Sequence, residues 1–265
     1  MPLFSIVTVC FNSERTLERT ISSVLKQDFK DYEYIIIDGG STDHTIDILK
    51  KYEPLFDGRM HWKSEPDKGI YDAFNKGIKQ SRGIYVWIVN SDDYIEKDAL
   101  VYLSHEVSRF DVMNLPIISG ALRYFEEETN KEIFTEFLSS DMSETCYKRD
   151  TTCVVHPATL VPKQIYNEYG LYDDRFYIIA DCDFFHRIHK DGQKIVFFNK
   201  IITNMSNGGV SGQWTLHRYK KSFYDRKLYY KKNYDKKIER YARFLIWNFH
   251  FLSIYIRQKC RAWQK

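Results

Sequence analysis

The sequence predicts an α/β fold in which a mixed, mainly parallel sheet is flanked by helices and followed by a helical C-terminal extension. Three observations predict it. Short, β-branched apolar segments alternate with amphipathic segments through the first part of the 265-residue chain, which is typical of parallel strands joined by right-handed crossovers. Polar clusters follow three of the apolar segments directly. A helical pattern then runs from residue 217 to the end.

The elements of the first part follow in order along the chain. Each predicted strand is short and apolar on both faces, as a strand buried between two helical layers must be. Asn12-Ser13-Glu14 is expected to cap the first helix, and Ser41 and Asp43 are expected to cap the second. Strands are predicted at 4–11, 34–37, 60–63 and 85–89, and helices at 17–25, 46–50 and 69–80.

The second half alternates less regularly. Residues 126–130 separate two strands within 117–137 that are expected to pair antiparallel. We also expect helices at 98–110 and 184–190, strands at 156–160 and 195–199, and a flexible loop at 207–212. The predicted organisation is one large domain at 1–214, divided into halves 1–97 and 98–214, and a basic, aromatic helical extension at 215–265.

Cysteine usage and the N-terminus favour a reducing compartment. The five cysteines are an odd number without a Cys-x-x-Cys pair, and their spacings fit neither zinc nor a disulfide framework. The N-terminus does not resemble a signal peptide. The longest apolar run, 244–256, is interrupted by Asn248 and His250 and is too short to span a bilayer. We therefore expect a cytoplasmic protein, free or peripheral on the inner face of the membrane.

Polar clusters follow the strands that end at Phe11, Ile37 and Val89. Parallel sheets bind ligands beyond the carboxyl ends of their strands, so we expect these clusters to form one site. The third cluster contains two adjacent carboxylates, Asp92 and Asp93. Such a pair repels itself and is commonly neutralised by a cation, and oxygen ligands suit Mg²⁺ or Mn²⁺. The alternative is that the pair only caps the following helix.

The second cluster, Asp38-Gly39-Gly40-Ser41, combines an acid with two glycines. A carboxylate there can accept a hydrogen bond from a ribose hydroxyl or a base N–H group, and the glycines allow a sharp turn close to a ligand. The loop lacks the Gly-x-Gly-x-x-Gly spacing of dinucleotide sites and the lysine of phosphate loops. Both differences argue against hydride transfer and ATP hydrolysis.

Four segments, 8–12, 37–43, 65–77 and 89–93, together resemble the family 2 glycosyltransferases in residue type, order and spacing. These are inverting enzymes with the GT-A fold, and the resemblance is to the type that acts in bacterial polysaccharide or lipopolysaccharide biosynthesis. The later half resembles the family more loosely, around 156–158 and 180–183. The resemblance implies transfer of a sugar from a nucleoside diphosphate, with UDP favoured, to a glycan or lipid-linked acceptor.

The resemblance also implies roles for individual residues. Thr8 and Phe11 would lie beside the base, and Asp38 would bind the base or ribose. Asn90-Ser91-Asp92 stands in the place of the family's Asp-x-Asp signature, with Asn90 as a neutral substitute. The implied nucleotide-sugar contacts are Thr8, Phe11, Asp38, Asp67, Lys68, Asn90, Ser91, Asp92 and His156, and the implied Mn²⁺ or Mg²⁺ ligands are Asp92 and Asp93.

Inverting transfer needs a carboxylate that takes the proton of the acceptor hydroxyl. In the family this acid lies in the second half, at the start of a helix, and Asp181 matches that place. Asp183 is the competing acid, for which stabilisation by the helix dipole is the expected role. The glycine-containing loop 207–211 is expected to be a lid over the donor or an ordinary surface turn.

Two other classes of function are open. A sugar nucleotidyltransferase would share a similar sheet, but such enzymes carry a glycine-rich basic loop after the first strand, and residues 10–15 do not. A non-catalytic membrane- or nucleic-acid-binding protein would use the extension, since residues 216–265 contain fifteen Lys or Arg and three acids. No RNA-binding signature accompanies these lysines and tyrosines, so no nucleic acid is expected.

The extension also carries an apolar stripe at helical spacing beside its basic residues. Such a stripe can contact an anionic membrane surface, the catalytic domain, or a second copy of the chain in a homodimer. The stripe comprises Phe244, Leu245, Trp247, Phe251 and Ile254.

Overall fold

The structure, a computed structural model, describes residues 1–151, 154–208 and 216–263. The described residues form a nine-stranded mixed sheet with helices packed against it. The predicted lid at 207–211 lies outside the described residues, except for Asn207 and Gly208. The mixed α/β architecture expected from the sequence is confirmed.

The strands are β1 Phe4–Cys10, β2 Tyr32–Asp38, β3 Met60–Ser64, β4 Tyr85–Ile88, β5 Tyr94–Ile95, β6 Ile117–Phe125, β7 Glu132–Glu136, β8 Thr159–Pro162 and β9 Ile195–Ser206. The helices are α1 Leu17–Leu25, α2 Thr45–Tyr52, α3 Ile70–Gln80, α4 Ala99–Val107, α5 Ser140–Lys148, α6 Lys163–Tyr169, α7 Ala180–Lys190, α8 Leu216–Asn233 and α9 Lys237–Trp263.

The N-terminal half forms the parallel part of the sheet, in the order β3-β2-β1-β4. Val7 at the centre of β1 pairs with Ile35 on one side and Ile88 on the other. Every residue of these three strands is buried, which explains why their sequences show no alternation of polar and apolar residues. Helix α3 lies very close to β1, since a Cβ on Gly77 would fall 2.3 Å from Val7 Cγ1. The predicted strands and crossover helices are confirmed.

The expected helix caps are partly wrong. Helix α1 begins without a side-chain cap. The side chains of Asn12 and Glu14 instead accept hydrogen bonds from the backbone N–H groups of residues 42 and 44, just before α2. Asp43 accepts from the first N–H group of α2, as expected, whereas the hydroxyl of Ser41 donates to Asp38. The first loop therefore stabilises the start of the second helix.

The second half extends the same sheet. Strands β8 and β6 continue it antiparallel, and β9 pairs parallel with β6. The predicted antiparallel pair in 117–137 is confirmed as β6 and β7. Helix α7 begins at Ala180 and β9 continues to Ser206, both beyond their predicted bounds. Helices α5 and α6 were not predicted, because they are short and bury too few residues to show a clear stripe.

The extension is helical, as predicted, and consists of two helices. A short non-helical connection separates α8 from α9, and the two helices pack against each other through aromatic rings. Phe223 meets Phe244 edge-on, with ring centroids 4.8 Å apart, and Tyr219 lies parallel to Trp247 at 6.4 Å. Such pairs stabilise packing beyond the area that they bury.

The predicted apolar stripe divides between two environments. Phe244, Trp247 and Phe251 pack against aromatic rings of α8 or of one another, whereas Leu245 is 55% exposed. The side chain of Ile254 lies outside the described part of the structure. Among the described residues, no helix combines the length and the apolar character needed to cross a membrane.

Candidate active site

The carboxyl ends of β1, β2 and β4 bring the three polar clusters together. The N–H group of Gly39 donates to the carbonyl of Cys10 over 2.9 Å, which joins the ends of β2 and β1. The hydroxyls of Ser13 and Ser91 lie 3.0 Å apart and join the ends of β1 and β4. The clusters are therefore adjacent at one edge of the sheet, where parallel sheets bind their ligands.

Phe11, Gly39 and Asp67 lie together at this edge, and the surface that these three residues form is called the recess from here on. The ring of Phe11 is 61% exposed and accessible to a planar ligand. A Cβ on Gly39 would fall 2.5 Å from Asp67 Oδ2 and 3.4 Å from the Phe11 ring, so only glycine permits this approach. The other oxygen of Asp67 accepts from the N–H group of Gly69 over 2.8 Å, and Lys68 is exposed beside it.

Asp38 is fully buried beneath this recess. Its carboxylate accepts from the N–H groups of Gly40 and Ser41 and from the hydroxyls of Ser41 and Ser64. Gly40 has a φ of 86°, which suits glycine and closes the turn. This placement does not support the expected direct contact of Asp38 with base or ribose. The carboxylate instead holds the loop that lines the recess.

Thr8 is buried as well. Its hydroxyl accepts from the hydroxyl of Tyr34 over 3.0 Å, inside the core. Successive side chains of a strand point to opposite faces of a sheet, and the Thr8 side chain points into a helix-covered face. The Thr8 side chain is therefore bound to protein atoms here, and the place of Thr8 beside the base stays a prediction.

The two carboxylates after β4 have different environments. Asp93 is buried, and its oxygens accept from the N–H group of Ser206 and the side-chain amide of Asn90, both at 3.1 Å. Burial, with the neighbouring Asp92, raises the pKa of Asp93 well above its usual range. Asp92 is only partly buried. Asp92 is thus the accessible carboxylate, and the placement of Asp93 does not support metal binding by both acids.

Arg19 of α1 holds the loop that carries Asp92, and it was not predicted from the sequence. Its guanidinium donates to the Asp92 carbonyl at 2.6 Å and to both oxygens of Glu127 at 3.0 and 2.8 Å. The next residue, Thr20, donates to two further carbonyls of this loop. Arg19 and Glu127 are 108 positions apart, so no local pattern marks their pairing.

Asn90 has a buried acceptor atom at this corner that a ligand could satisfy. Its amide nitrogen donates to Asp93, but its Oδ1 is buried and has no hydrogen-bond partner within the described residues. An unpaired buried acceptor costs about 1–3 kcal/mol, which a ligand donor or a cation would recover. The oxygens of Asn90 and Asp92 are the ligand type that Mg²⁺ and Mn²⁺ prefer.

The residues present therefore fit a divalent cation that takes its remaining ligands from a bound diphosphate or from water. Among the described residues, no group of three His, Cys, Asp or Glu side chains could hold a metal ion by itself. Shared ligation with substrate phosphates is the usual arrangement for Mg²⁺.

Asp181 lies in the first turn of α7, beside Tyr71 of α3. The Tyr71 hydroxyl is 3.3 Å from Asp181 Oδ1 and 2.5 Å from the carbonyl of Ile178. Burial raises the pKa of Tyr71 well above its usual range, so this hydroxyl remains a donor. Tyr71 follows Asp67 within one short segment, which therefore reaches from the recess to Asp181. Although Tyr71 lies inside a recognised motif, its contact with a residue 110 positions away was not predicted.

His156 packs in the same part of the molecule. Its ring stacks on Phe74 of α3 with centroids 5.6 Å apart, and its Nε2 lies 3.1 Å from the Tyr172 hydroxyl. Burial lowers the pKa of His156, against the opposing effect of the nearby Asp181 charge. The imidazole is therefore neutral at neutral pH.

Asp183, the competing acid, is fully buried. It pairs with Lys232 of α8 at 2.7 Å and with Arg187 at 3.2 Å. Asp183 lies in the first turn of α7, where the helix dipole favours an acid as expected, and it also forms a structural ion pair between α7 and α8. Asp181 is the acid of this turn that remains partly exposed.

The comparisons with known proteins agree with these motifs. The profile of Glycosyl transferase family 2 matches residues 5–170. A PGL/p-HBAD biosynthesis glycosyltransferase of Mycobacterium tuberculosis is 26% identical over 213 residues, which cover 79% of each chain.

Solved structures show the same fold. S. aureus TarS 1–349, in complex with UDP-GlcNAc, has a TM-score of 0.67 and 18% identity over 92% of this chain and 69% of its own. This chain spans 41% of a longer TarS chain. The mannosyltransferase PcManGT from Pyrobaculum calidifontis, in complex with GDP-Man and Mn²⁺, has a TM-score of 0.65 and 13% identity. The match covers 98% of this chain and 76% of the PcManGT chain. These likenesses confirm the GT-A fold that the sequence led us to expect.

The family match covers more than half of the chain and includes the three strand-end clusters as well as His156. Together with the shared fold, this match establishes that the protein belongs to glycosyl transferase family 2 and is a glycosyltransferase.

Proposed function

We propose that this glycosyltransferase moves a sugar from a nucleoside diphosphate, UDP in particular, to a hydroxyl of a glycan or lipid-linked acceptor, with inversion at the anomeric carbon. The observation that carries the proposal is the short segment that joins the recess at Asp67 to Asp181 through Tyr71. The proposed nucleotide site and a carboxylate that would take a proton are thus linked by one short segment. The UDP-GlcNAc complex of TarS supports a nucleotide-sugar donor.

The recess would hold the nucleoside. Phe11 offers an exposed ring for the base, and Asp67 offers a carboxylate oxygen to the base or ribose. Lys68 would lie beside the negatively charged phosphates. Asp38 would act indirectly, by fixing the loop that leaves room for these groups.

Asn90 and Asp92 would hold the diphosphate end of the donor and a divalent cation, Mn²⁺ or Mg²⁺. When bound, such a cation offsets the negative charge that builds on the departing diphosphate. Asp92 must be ionised to bind it. Burial raises the pKa of Asp92, as does the nearby charge of Glu127, whereas Arg19 opposes the rise; a bound cation would favour the ionised form. Asp93 would anchor the amide nitrogen of Asn90, which leaves Asn90 Oδ1 for the ligand. The Mn²⁺ complex of PcManGT supports this assignment.

Asp181 would be the general base. It takes the proton of the acceptor hydroxyl as that oxygen bonds to the anomeric carbon, while the bond from that carbon to the diphosphate oxygen breaks. Attack from the face opposite the diphosphate inverts the configuration, through a transition state with oxocarbenium character. Tyr71 would orient the Asp181 carboxylate. His156, neutral and held by Tyr172, would contact a sugar hydroxyl without adding charge.

Release of UDP from UDP-sugars in the presence of Mn²⁺ tests this function. We expect Asp181→Asn to lower kcat by about 10²–10⁴-fold, since general base catalysis contributes that much, and to leave UDP binding unchanged. Asp92→Asn should weaken metal-dependent donor binding. Asp174→Asn, an exposed acid of the same region, is the control and should keep full activity. Pyrophosphate release would indicate nucleotidyl transfer instead, and wild-type rates in both site variants would overturn the proposal.

The proposal includes a membrane contact through the outer face of α9, where a lipid-linked acceptor would be found. Ile238, Tyr241, Leu245 and Phe249 recur at helical spacing on this face, and all are exposed, Phe249 by 72%. The fifteen Lys or Arg of residues 216–265 stand against three acids. A basic helix with an apolar face binds an anionic lipid surface through both kinds of contact.

Flotation with vesicles tests the membrane contact. We expect binding to vesicles containing phosphatidylglycerol, weakening with added salt, and none to phosphatidylcholine alone. A Leu245→Glu/Phe249→Glu variant should lose binding, whereas Leu55→Glu, at an exposed leucine outside the extension, should keep it. Equal binding by the α9 variant would contradict the contact. A wild-type dimer that the α9 variant dissociates, without vesicle binding, would assign the face to a second copy of the chain.

A further inference from the structure

Asp225 of α8 is a buried acid with an unusual set of partners. It is fully inaccessible to solvent, yet its carboxylate binds backbone and not a cation. It accepts from the N–H groups of three consecutive residues: Tyr177 at 2.9 Å, Ile178 at 2.7 Å and Ile179 at 3.3 Å. Burial raises the pKa of Asp225, whereas the three N–H groups favour its ionised form. Hydrogen bonds to three consecutive residues fix the segment 177–179, most strongly when the acid is ionised.

The segment 177–179 leads directly into α7, whose second residue is Asp181. On the opposite side of this segment, the Tyr71 hydroxyl contacts the carbonyl of Ile178 and Asp181 Oδ1. The backbone before the proposed base is thus held by Asp225 through its N–H groups and by Tyr71 through its carbonyl. Movement of this segment would move the Asp181 carboxylate with it.

Two other buried acids hold the extension to the rest of the protein in a different way. Asp183 pairs with Lys232 and Arg187, and Asp150 pairs with Arg243 of α9 at 2.8 Å. Within the described residues, Asp225 forms no such salt bridge. An acid that served only to attach the extension would have a cation as partner, as these two do. The three backbone contacts of Asp225 indicate a positioning role instead.

We propose that Asp225 is a positioning residue for catalysis, so that the C-terminal extension completes the active site by fixing the segment that carries the base Asp181. The proposal rests on the proposed function, in which Asp181 takes the proton of the acceptor. Asp225 lies outside residues 5–170, which the family profile matches, so the family motifs do not reveal this role. Small displacements of a base cost much rate, because proton transfer requires close alignment.

Steady-state kinetics of Asp225→Asn in the full-length protein test the proposal. The substituted amide keeps one acceptor oxygen but places N–H groups against the N–H groups of 177–179. We expect kcat to fall by about 10–100-fold, with the KM for UDP-sugar unchanged, because the recess is built from other elements. In an Asp181→Asn background, Asp225→Asn should lower kcat only slightly further, because a residue that acts through Asp181 has no effect on catalysis once the base is absent.

Asp150→Asn is the matched control. Asp150 is a buried acid that binds α8 and α9, and the substitution removes its salt bridge. It does not affect the contacts of residues 177–179. We expect it to lower the melting temperature and to retain kcat below that temperature. Equal loss of kcat in both variants, or an equal effect of Asp225→Asn with and without Asp181, would assign Asp225 a purely structural role.

A second variant and the base variant separate the possible failures. If Asp225→Asn does not fold, Asp225→Glu retains the carboxylate and displaces it by one methylene, and it should show the same loss confined to kcat. A normal kcat in Asp225→Glu overturns the positioning role. If Asp181→Asn alone retains wild-type kcat, the proposed base is wrong. If Asp181→Asn is inactive while Asp225→Asn is normal, only the inference on Asp225 fails.

Discussion

Neighbouring acids of this protein lie in different environments. Asp92 is partly exposed at the carboxyl edge of the sheet, whereas Asp93 is buried against Ser206. Asp181 lies beside Tyr71, whereas Asp183, two positions later on the same helix, is buried against Lys232. Residues two apart do not share a face of a helix, so proximity in sequence says little about function here.

The first prediction at this scale concerns Gly39. In Gly39→Ala the new Cβ would meet Asp67 Oδ2 at 2.5 Å, so either the loop or the acid must move. We expect the Kd of UDP to rise about tenfold, with stability lowered by about 1–3 kcal/mol for the overpacking. Titration of UDP by calorimetry and urea unfolding measure the two effects.

The control for this substitution is Gly58→Ala. Gly58 has a φ of 77° but open space around its Cβ position, so alanine there should lower stability by backbone strain alone. Unchanged nucleotide binding in both variants would show that the recess does not hold the nucleotide.

The second prediction concerns the pH dependence of stability. Burial and Asp92 raise the pKa of Asp93 in the folded protein, so the folded state holds this proton at a higher pH than the unfolded chain does. Its contribution therefore favours the folded state at low pH and is lost as the pH rises through the folded pKa. We expect Asp93→Asn to reduce the loss of stability between acidic and neutral pH. Thermal unfolding without ligand at several pH values measures this change in stability. If Asp93→Asn had the same pH profile as wild type, the prediction would be contradicted.

At the scale of elements, side chains from distant helices and loops hold the chemistry-bearing loops in place. Helix α1 fixes the loop after β4 through Arg19, which is itself held by Glu127 of the β6–β7 connection. Helix α3 fixes the start of α7 through Tyr71. The loop of the proposed donor contacts and the segment of the proposed base are therefore positioned by side chains from three other elements.

Arg19→Lys tests the link between α1 and the loop of Asp92. Lysine keeps the charge but cannot contact Glu127 with two nitrogens and Asp92 with one of them. We expect donor binding in the presence of Mn²⁺ to weaken by about tenfold, which corresponds to one charged hydrogen bond of about 1.5 kcal/mol. Arg82→Lys is the matched control, because Arg82 binds buried Glu33 before β4, at the opposite end of that strand. Equal donor affinity of Arg19→Lys and wild type would remove Arg19 from the site.

At the scale of the whole molecule, the charge of the extension is typical of a separate segment, whereas its packing attaches it to the rest of the protein. Residues 216–265 are strongly basic, which is common in separate interaction segments. Nevertheless, three buried acids, Asp150, Asp183 and Asp225, bind α8 and α9 or belong to them. Buried contacts of this kind couple the stability of an appendage to that of the domain beneath it.

We therefore expect the extension and the catalytic domain to unfold together. Two variants with a single tryptophan each report on the two parts separately. One retains Trp87, buried in β4, and reports on the catalytic domain. The other retains Trp247, packed between α8 and α9, and reports on the extension. Their fluorescence in urea should give the same midpoint. An earlier transition at Trp247 would show that residues 215–265 are an independent unit.

The sequence by itself determined the parallel half of the sheet and the edge at which the site lies. Continuous apolar runs and amphipathic helices are local patterns, and the carboxyl ends of parallel strands must meet at one edge. These patterns placed Phe11, Asn90 and Asp92 at that edge, and the resemblance to the family added Asp67; their contacts with a donor stay predictions. The short helices α5 and α6 were not found, because few of their residues are buried.

Only the tertiary structure decided which of the motif residues face a ligand. Thr8, Asp38 and Asp93 carry polar groups that the sequence could equally assign to a ligand, but each is buried and bound to protein atoms. The contacts that hold these segments, such as those of Arg19 and Asp225, join residues 46 to 108 positions apart. Local sequence patterns record burial and periodicity, whereas the partner of a polar side chain is set by how distant elements pack.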